Sequence, residues 1–432
     1  MSFLRCSLGA MAVGTGLFLG ACASNSNSDT PPQRGSLIGV PTTVGSIVTA
    51  SELDATVQGL GLQALTGAAK CEVTVAQINY RTAGVQVGEM TNASAAVLIP
   101  GGANCPGPFP LVAYARGTNL DKAHAMANSA DPETSLLMAF FASQGYAVVA
   151  TDYLGYALSN HPYHPYQHSD SEASAVVDSI RAARIAAPSL ALALNGKVMV
   201  TGYSQGGHAA MAAQRAMERD NPAEFNLVAA THMAGAYRIS ASLMAGATNP
   251  IAGVQLFVPF QIVSWQKAYG NVYDKASDVF NAPYDGYIEN LMPFVNYPSD
   301  GDKLPGGTPE EARDAMFKPA YLTDLVTNPS NGTIVAAKRQ DLLGWDPKAV
   351  TILCGGIGDP TVKFAVNAQP TYDDFRSRGG SNVTLVDVDG EIQQQYGSVL
   401  AATPDTYYAN YHGKYEEPFC LNVAKEMFDL YR

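Results

Sequence analysis

The 432-residue sequence sets 26 Lys and Arg against 38 Asp and Glu, a formal charge of −12, with 15% charged and 47% hydrophobic residues. An acidic, weakly charged chain argues against nucleic acid as a partner, and the apolar content is ample for a large core. Length allows two or three domains, yet one large α/β domain with an insertion fits equally well, and no internal repeat or heptad pattern is present.

Residues 1–21 stand apart from the fold. Arg5 is followed by an uncharged apolar run from Leu8 to Ala21, too short to span a bilayer but suited to the core of an export signal. The run ends Leu19-Gly20-Ala21-Cys22, which resembles a bacterial lipobox: Cys22 would be lipidated, become the mature N-terminus and anchor the protein to a membrane of the cell envelope. Ordinary cleavage with Cys22 incidental is the alternative, and the product would then be secreted. Residues 22–35 are polar, broken by Pro31 and Pro32, and read as a flexible tether.

Cys71, Cys105, Cys354 and Cys420 remain after processing, and an even count in an exported chain implies two disulfides. Of three possible connectivities, Cys71–Cys105 with Cys354–Cys420 is the most local. No Cys/His spacing matches a metal site, so none is expected.

The first part of the core, 36–235, opens with short β-rich runs at Glu72 to Tyr80, Val85 to Met90, Ser94 to Ile99 and Pro110 to Ala115. A helix from about Glu133 to Ser143 and a strand from Tyr146 to Thr151 begin the alternation of a parallel sheet. His161, His164 and His168 follow among aromatics, and two intervening prolines argue against a metal-binding helical face. Ser169 to Glu172 has the spacing of a capping box, ahead of a helix with Val176, Val177 and Ile180 on its apolar face.

Lys197 to Arg219 reads as a buried strand, a glycine-rich turn and a helix in direct succession. Ser204 lies between Gly202 and Gly206, the pattern of a nucleophile elbow, in which a serine is held exposed at a strained corner. The helix that follows would aim its N-terminal N–H groups at an oxyanion, with that of Gln205 in position to donate. A second donor is expected from the loop after the Pro110 to Ala115 strand, where Gly117 and Thr118 are the candidates. His208 is expected to pack on the elbow helix, and His124 and His232 have no better claim to a role.

After a strand at Leu227 to Met233 the alternation stops. Residues 236–345 are helical and aromatic-rich, and Thr308-Pro309-Glu310-Glu311 marks one helix start. This insertion reads as a cap or lid; most of its aromatics are expected to form its own core, with a minority lining a pocket.

The second part of the core, 346–432, resumes with a strand from Ala349 to Cys354, and Asp359 lies just past its end, where open α/β sheets place their chemistry. Asp359 is the first choice for an acid, and Asp387 and Asp389, at the end of the Val383 to Val388 strand, compete with it. A helix is expected from about Glu391 to Leu400. His412 is the only histidine after these acids, expected in a loop before the C-terminal helix, so the order Ser, Asp, His leaves no other candidate base.

Gly202-Tyr203-Ser204-Gln205-Gly206-Gly207-His208, with the stretches Thr151 to Tyr163, Val176 to Arg184 and Gly358 to Val362, resembles the secretory-lipase family of α/β-hydrolases. The resemblance covers about Val112 to His412 apart from the cap. It implies an α/β-hydrolase fold and hydrolysis of small-molecule or lipid esters, with Ser204, Asp359 and His412 as the triad and no cofactor. An exported peptidase with the same triad, or a surface binding protein on a disabled hydrolase fold, are the alternatives; intact Ser204, Asp359 and His412 argue against the latter.

Overall fold

Nine strands form one sheet in the computed structural model, which describes residues 33–432; the signal, Cys22 and nearly all of the tether lie outside the described residues. The strands are β1 (Thr42–Val48), β2 (Glu72–Ala83), β3 (Met90–Gly101), β4 (Phe109–Ala115), β5 (Ala147–Tyr153), β6 (Leu194–Tyr203), β7 (Asn226–Met233), β8 (Val350–Gly355) and β9 (Val383–Asp387). They lie in the order β1-β2-β3-β5-β4-β6-β7-β8-β9. The first three pair antiparallel, β3 also pairs antiparallel with β5, and every pairing from β5 onward is parallel.

The apolar runs read from the sequence are buried on both faces, as a parallel sheet covered by helices requires. In β4, Leu111, Ala113 and Ala115 pack into one hydrophobic cluster with the helices Ser169–Ala186 and Gln205–Asp220. Val112 and Tyr114 pack into another with the helices Pro132–Phe140 and Glu416–Asp429. The period of two along the strand thus serves two cores at once.

Three expectations need correction here. Val85 to Met90 is not a strand: residues 84–89 form the turn between β2 and β3, because the Glu89 carboxylate accepts the N–H groups of Val85 and Gln86 while Gly88 takes a positive φ. The helix expected to be capped by Ser169 is capped one residue earlier. His168 accepts the N–H of Ser171, and Glu172 turns inward to the N–H of Gln167. Asp389 opens the helix Asp389–Ala402 rather than ending β9. The edge strand β1 and the helix Ala50–Gly59, which had no counterpart in the sequence reading, complete the antiparallel end.

Both disulfides are present, Cys71–Cys105 and Cys354–Cys420. The second fastens the end of β8 to the C-terminal helix. Residues 236–345 are predominantly helical, with Ile239–Thr248, Val254–Tyr269, Pro309–Met316, Pro319–Thr327 and Gly332–Gln340 as their longer helices. Phe260, Trp265, Phe280, Met292 and Phe294 form the insertion's own buried cluster. Thr308 caps its helix through a complete capping box with Glu311. Among the described residues no helix is long and apolar enough to cross a membrane.

Candidate active site

Ser204 stands at the corner between β6 and the helix Gln205–Asp220, with φ 57° and ψ −117°. A left-handed φ is rare for a residue with a β-carbon and marks a strained turn. The flanking glycines make it possible: a β-carbon on Gly206 would lie 1.8 Å from the Ala115 carbonyl oxygen, and one on Gly202 would lie 2.4 Å from that of Gly206. The Ser204 N–H donates to the Met233 carbonyl at 3.0 Å, fixing the corner to the end of β7.

His412 Nε2 lies 2.8 Å from Ser204 Oγ, and its Nδ1 lies 2.7 Å from Asp359 Oδ2. The three residues the sequence singled out, separated by up to 208 positions, therefore form one hydrogen-bonded row. Asp359 is in the loop after β8, and its other oxygen accepts the N–H groups of Thr361 and Val362. The competing acids hold neighbouring structure instead. Asp387 accepts the N–H groups of Ile357 and Asp389, and Asp389 accepts the Tyr411 hydroxyl at 2.6 Å. His412 is not in a loop: it occupies a π-helical turn, Tyr411–Tyr415, which leads directly into the helix Glu416–Asp429.

Burial alone would push the His412 pKa down, but the adjacent carboxylates of Asp359 and Glu416 outweigh it and hold the group above its usual value. Glu416 is itself wholly buried, and burial together with the charge of Asp359 raises its pKa above the usual carboxylate value, a rise that His412 opposes. Asp359, His412 and Glu416 place ligand-type atoms within 4.8 Å of one another. Those atoms bond each other, the Gly356 N–H and the Tyr203 hydroxyl, so an ion is not needed to account for them.

The loop after β4 differs from expectation at one position. The N–H of Gly117 donates to Glu133 Oε1 at 2.7 Å, so it is not free to face Ser204. Thr118, whose hydroxyl is 2.8 Å from that of Tyr166, and Gln205, the first residue of its helix, remain as the candidate donors. Arg116 shapes the loop from behind: its buried guanidinium lies 4.2 Å from the Tyr156 ring centre and donates to the carbonyls of Gly117 and Asp152.

Of the remaining histidines, His164 and His208 brace the elbow. His164 donates from Nδ1 to the Leu154 carbonyl and accepts the Gln205 side-chain N–H at Nε2. His208 packs on the elbow helix between the Glu172 carboxylate and the Gln340 carbonyl. His161 donates to the Tyr163 carbonyl, His232 bonds Gln214, and His124 lies 3.7 Å from Asp131. Gln340 also accepts the N–H and hydroxyl of Ser169, which ties the insertion to the core.

Ser204 opens into a cleft between the insertion and the core. Its apolar wall comes from the insertion, including Leu243, Val254, Phe257, Phe317 and Leu325, and Thr361 with Asn367 supply polar groups from the core. Of the insertion's aromatics, Phe257, Phe317 and Tyr321 line it.

The family model for secretory lipase matches residues 122–262. The rice cell wall degrading esterase LipA from Xanthomonas oryzae is 34% identical over 93% of this chain and 100% of its own, with a TM-score of 0.81. The chain belongs to the secretory-lipase family. Candida antarctica lipase A shares the fold at 18% identity, with a TM-score of 0.59 over 85% of this chain and 80% of that one. No curated protein matches the chain. The secretory-lipase assignment makes this an α/β-hydrolase of lipase or esterase type.

The roles of four acids of this secretory lipase escaped the sequence reading: the buried Glu172 and Glu416, and the partly buried Glu133 and Glu417. Only Glu416 had a usable signal, its position four residues after the last histidine, one helical turn along.

Proposed function

We propose that the protein is a serine hydrolase cleaving carboxylic esters through Ser204, His412 and Asp359. The hydrogen-bonded row from Ser204 Oγ through His412 to Asp359 carries this reading. Neutral His412 takes the hydroxyl proton at Nε2 as Ser204 Oγ bonds the ester carbonyl carbon. The carbonyl oxygen becomes an oxyanion facing the N–H groups of Gln205 and Thr118. When the carbon–oxygen bond to the alcohol breaks, His412 returns that proton to the departing alkoxide. Water, deprotonated by the same imidazole, then attacks the acyl-enzyme, and Ser204 recovers its proton as the carboxylic acid leaves. Asp359 holds Nδ1 protonated and offsets the charge on the imidazolium.

The apolar wall beside Ser204 supports an ester whose acyl or alcohol part is hydrophobic. The test is a series of nitrophenyl esters of increasing chain length run beside matched amides. Ester hydrolysis abolished by Ser204→Ala is expected; faster cleavage of the amides would replace esterase with peptidase. The disulfides and the family accord with an exported protein. We further propose that Cys22 carries the membrane anchor, so Cys22→Ser moves the protein from the membrane to the soluble fraction.

A further inference from the structure

His412 faces two carboxylates. Its Nδ1 is 2.7 Å from Asp359 Oδ2 and 3.5 Å from Glu416 Oε2, and both acid side chains are completely shielded from solvent. Glu416 does more than approach the ring. Its Oε1 accepts the N–H of Gly356, in the loop that carries Asp359, and its Oε2 accepts the hydroxyl of Tyr203, the residue before Ser204. One carboxylate thus joins the three segments that supply the serine, the acid and the histidine.

We propose that Glu416 is a second acid for His412, a positioning residue that shares with Asp359 the task of orienting the imidazole and stabilising its protonated form. The proposal rests on the serine hydrolase reading above. Both Glu416 oxygens accept, whereas a glutamine has one acceptor oxygen and could keep only one of these bonds in the same direction, so the site is built for a carboxylate beside the imidazole. An anionic group within about 4–6 Å of an imidazole favours the imidazolium by roughly 1–3 pKa units, and Glu416 is well inside that range.

The groups around the pair add no competing cation. Tyr203 faces it from β6, Asp359 from the loop after β8, Tyr237 from the segment after β7, and Tyr411 and Glu417 from its own stretch of chain. Beyond Glu417 lie Tyr114 and Glu133. In this ring of acids and phenols His412 is the basic group, and Glu416 is the acid nearest to it after Asp359.

The experiment measures kcat/KM for a nitrophenyl ester against pH in the full-length protein and its Glu416→Gln and Glu416→Asp variants. Imidazolium cannot accept the serine proton, so activity falls on the acid side with the His412 pKa. Glu416→Gln is expected to move that limb down by about one pH unit or more, and Glu416→Asp to leave it near the wild-type position. An unmoved limb in Glu416→Gln, with activity reduced equally at every pH, would reduce Glu416 to scaffolding and overturn the proposal. If Glu416→Gln does not fold, the His412 pKa is read by NMR in Asp359→Asn, where Glu416 is the carboxylate left beside the ring: a value above the ordinary histidine value of about 6.5 supports the proposal, and one at or below it overturns it. Labelling of wild-type Ser204 by an alkyl fluorophosphonate is read in parallel. Its failure overturns the hydrolase reading itself, whereas labelling with an unmoved limb overturns Glu416 alone.

Discussion

The backbone N–H of Gly117 is bound to the partly buried carboxylate of Glu133 at 2.7 Å. That carboxylate also accepts the Tyr114 hydroxyl at 2.7 Å, so it clamps the loop after β4 to the strand below it. The clamp fixes where the next N–H, that of Thr118, points. Glu133→Ala is expected to lower kcat by as much as about 10²-fold, the lower end of what losing one oxyanion donor costs, with KM little changed. Glu133→Gln, which keeps an acceptor, should retain most activity. Steady-state kinetics of the two variants decide, and equal losses in both would show that Glu133 does not act by holding Gly117.

Asp359 is expected to behave unlike its neighbours. Asp359→Asn should cost roughly 10⁴-fold at neutral pH because the amide favours the wrong imidazole tautomer. Asp387→Asn and Asp389→Asn, which perturb the N–H of Ile357 and the hydroxyl of Tyr411, should cost far less. Activity of the three folded variants side by side is the measurement. The assignment fails if Asp359→Asn stays active while either of the others does not.

Glu417 gives stability a definite pH dependence. Burial first, and then the charge of Glu133, push its pKa up to about 8, above the value of about 4.5 in an unfolded chain. A group raised on folding contributes stability that is full below the unfolded pKa and is lost as pH rises through the folded one. Glu417→Gln removes that loss while keeping an acceptor for Tyr114. Its unfolding free energy relative to wild type should therefore climb between pH 5 and pH 8.5, by up to about 1.4 kcal/mol per pH unit inside the window. A difference that stays constant or shrinks over that range would refute the account.

The two disulfides should differ modestly in worth. Each is expected to contribute about 2–4 kcal/mol by restricting the unfolded chain. Cys354–Cys420 spans 66 residues against 34 for Cys71–Cys105, close to a doubling, and so gains about 0.6 kcal/mol more. Denaturant unfolding of the paired Cys→Ser variants measures both. A larger loss from the Cys71/Cys105 pair would show that loop closure is not the controlling factor.

The parallel half of the sheet was legible because its strands are short continuous apolar runs between helices, and Ser204 because glycines at two offsets announce a corner. Asp359 and His412 followed from chain order once the serine was placed. What could not be read was anything decided by a contact across the fold. The commitment of the Gly117 N–H depends on Glu133, sixteen residues on, and the buried role of Glu416 depends on Tyr203 and Gly356. The turn at 84–89 was misread for the opposite reason, a local one: Val85 and Val87 have strand propensity, but Glu89 captures the N–H groups a strand would have paired.

Gln340, at the end of the insertion's last long helix, is held from the core by Ser169 and His208, while its own amide N–H reaches Tyr269 on another helix of the insertion. Ser264 of the insertion donates in turn to the His164 carbonyl. Swinging the insertion away as one body would strand these buried groups together, at about 1–3 kcal/mol for each left without a partner. Moving the insertion as one body is therefore costly, and the width of the cleft mouth is expected to limit the size of ester that reaches Ser204.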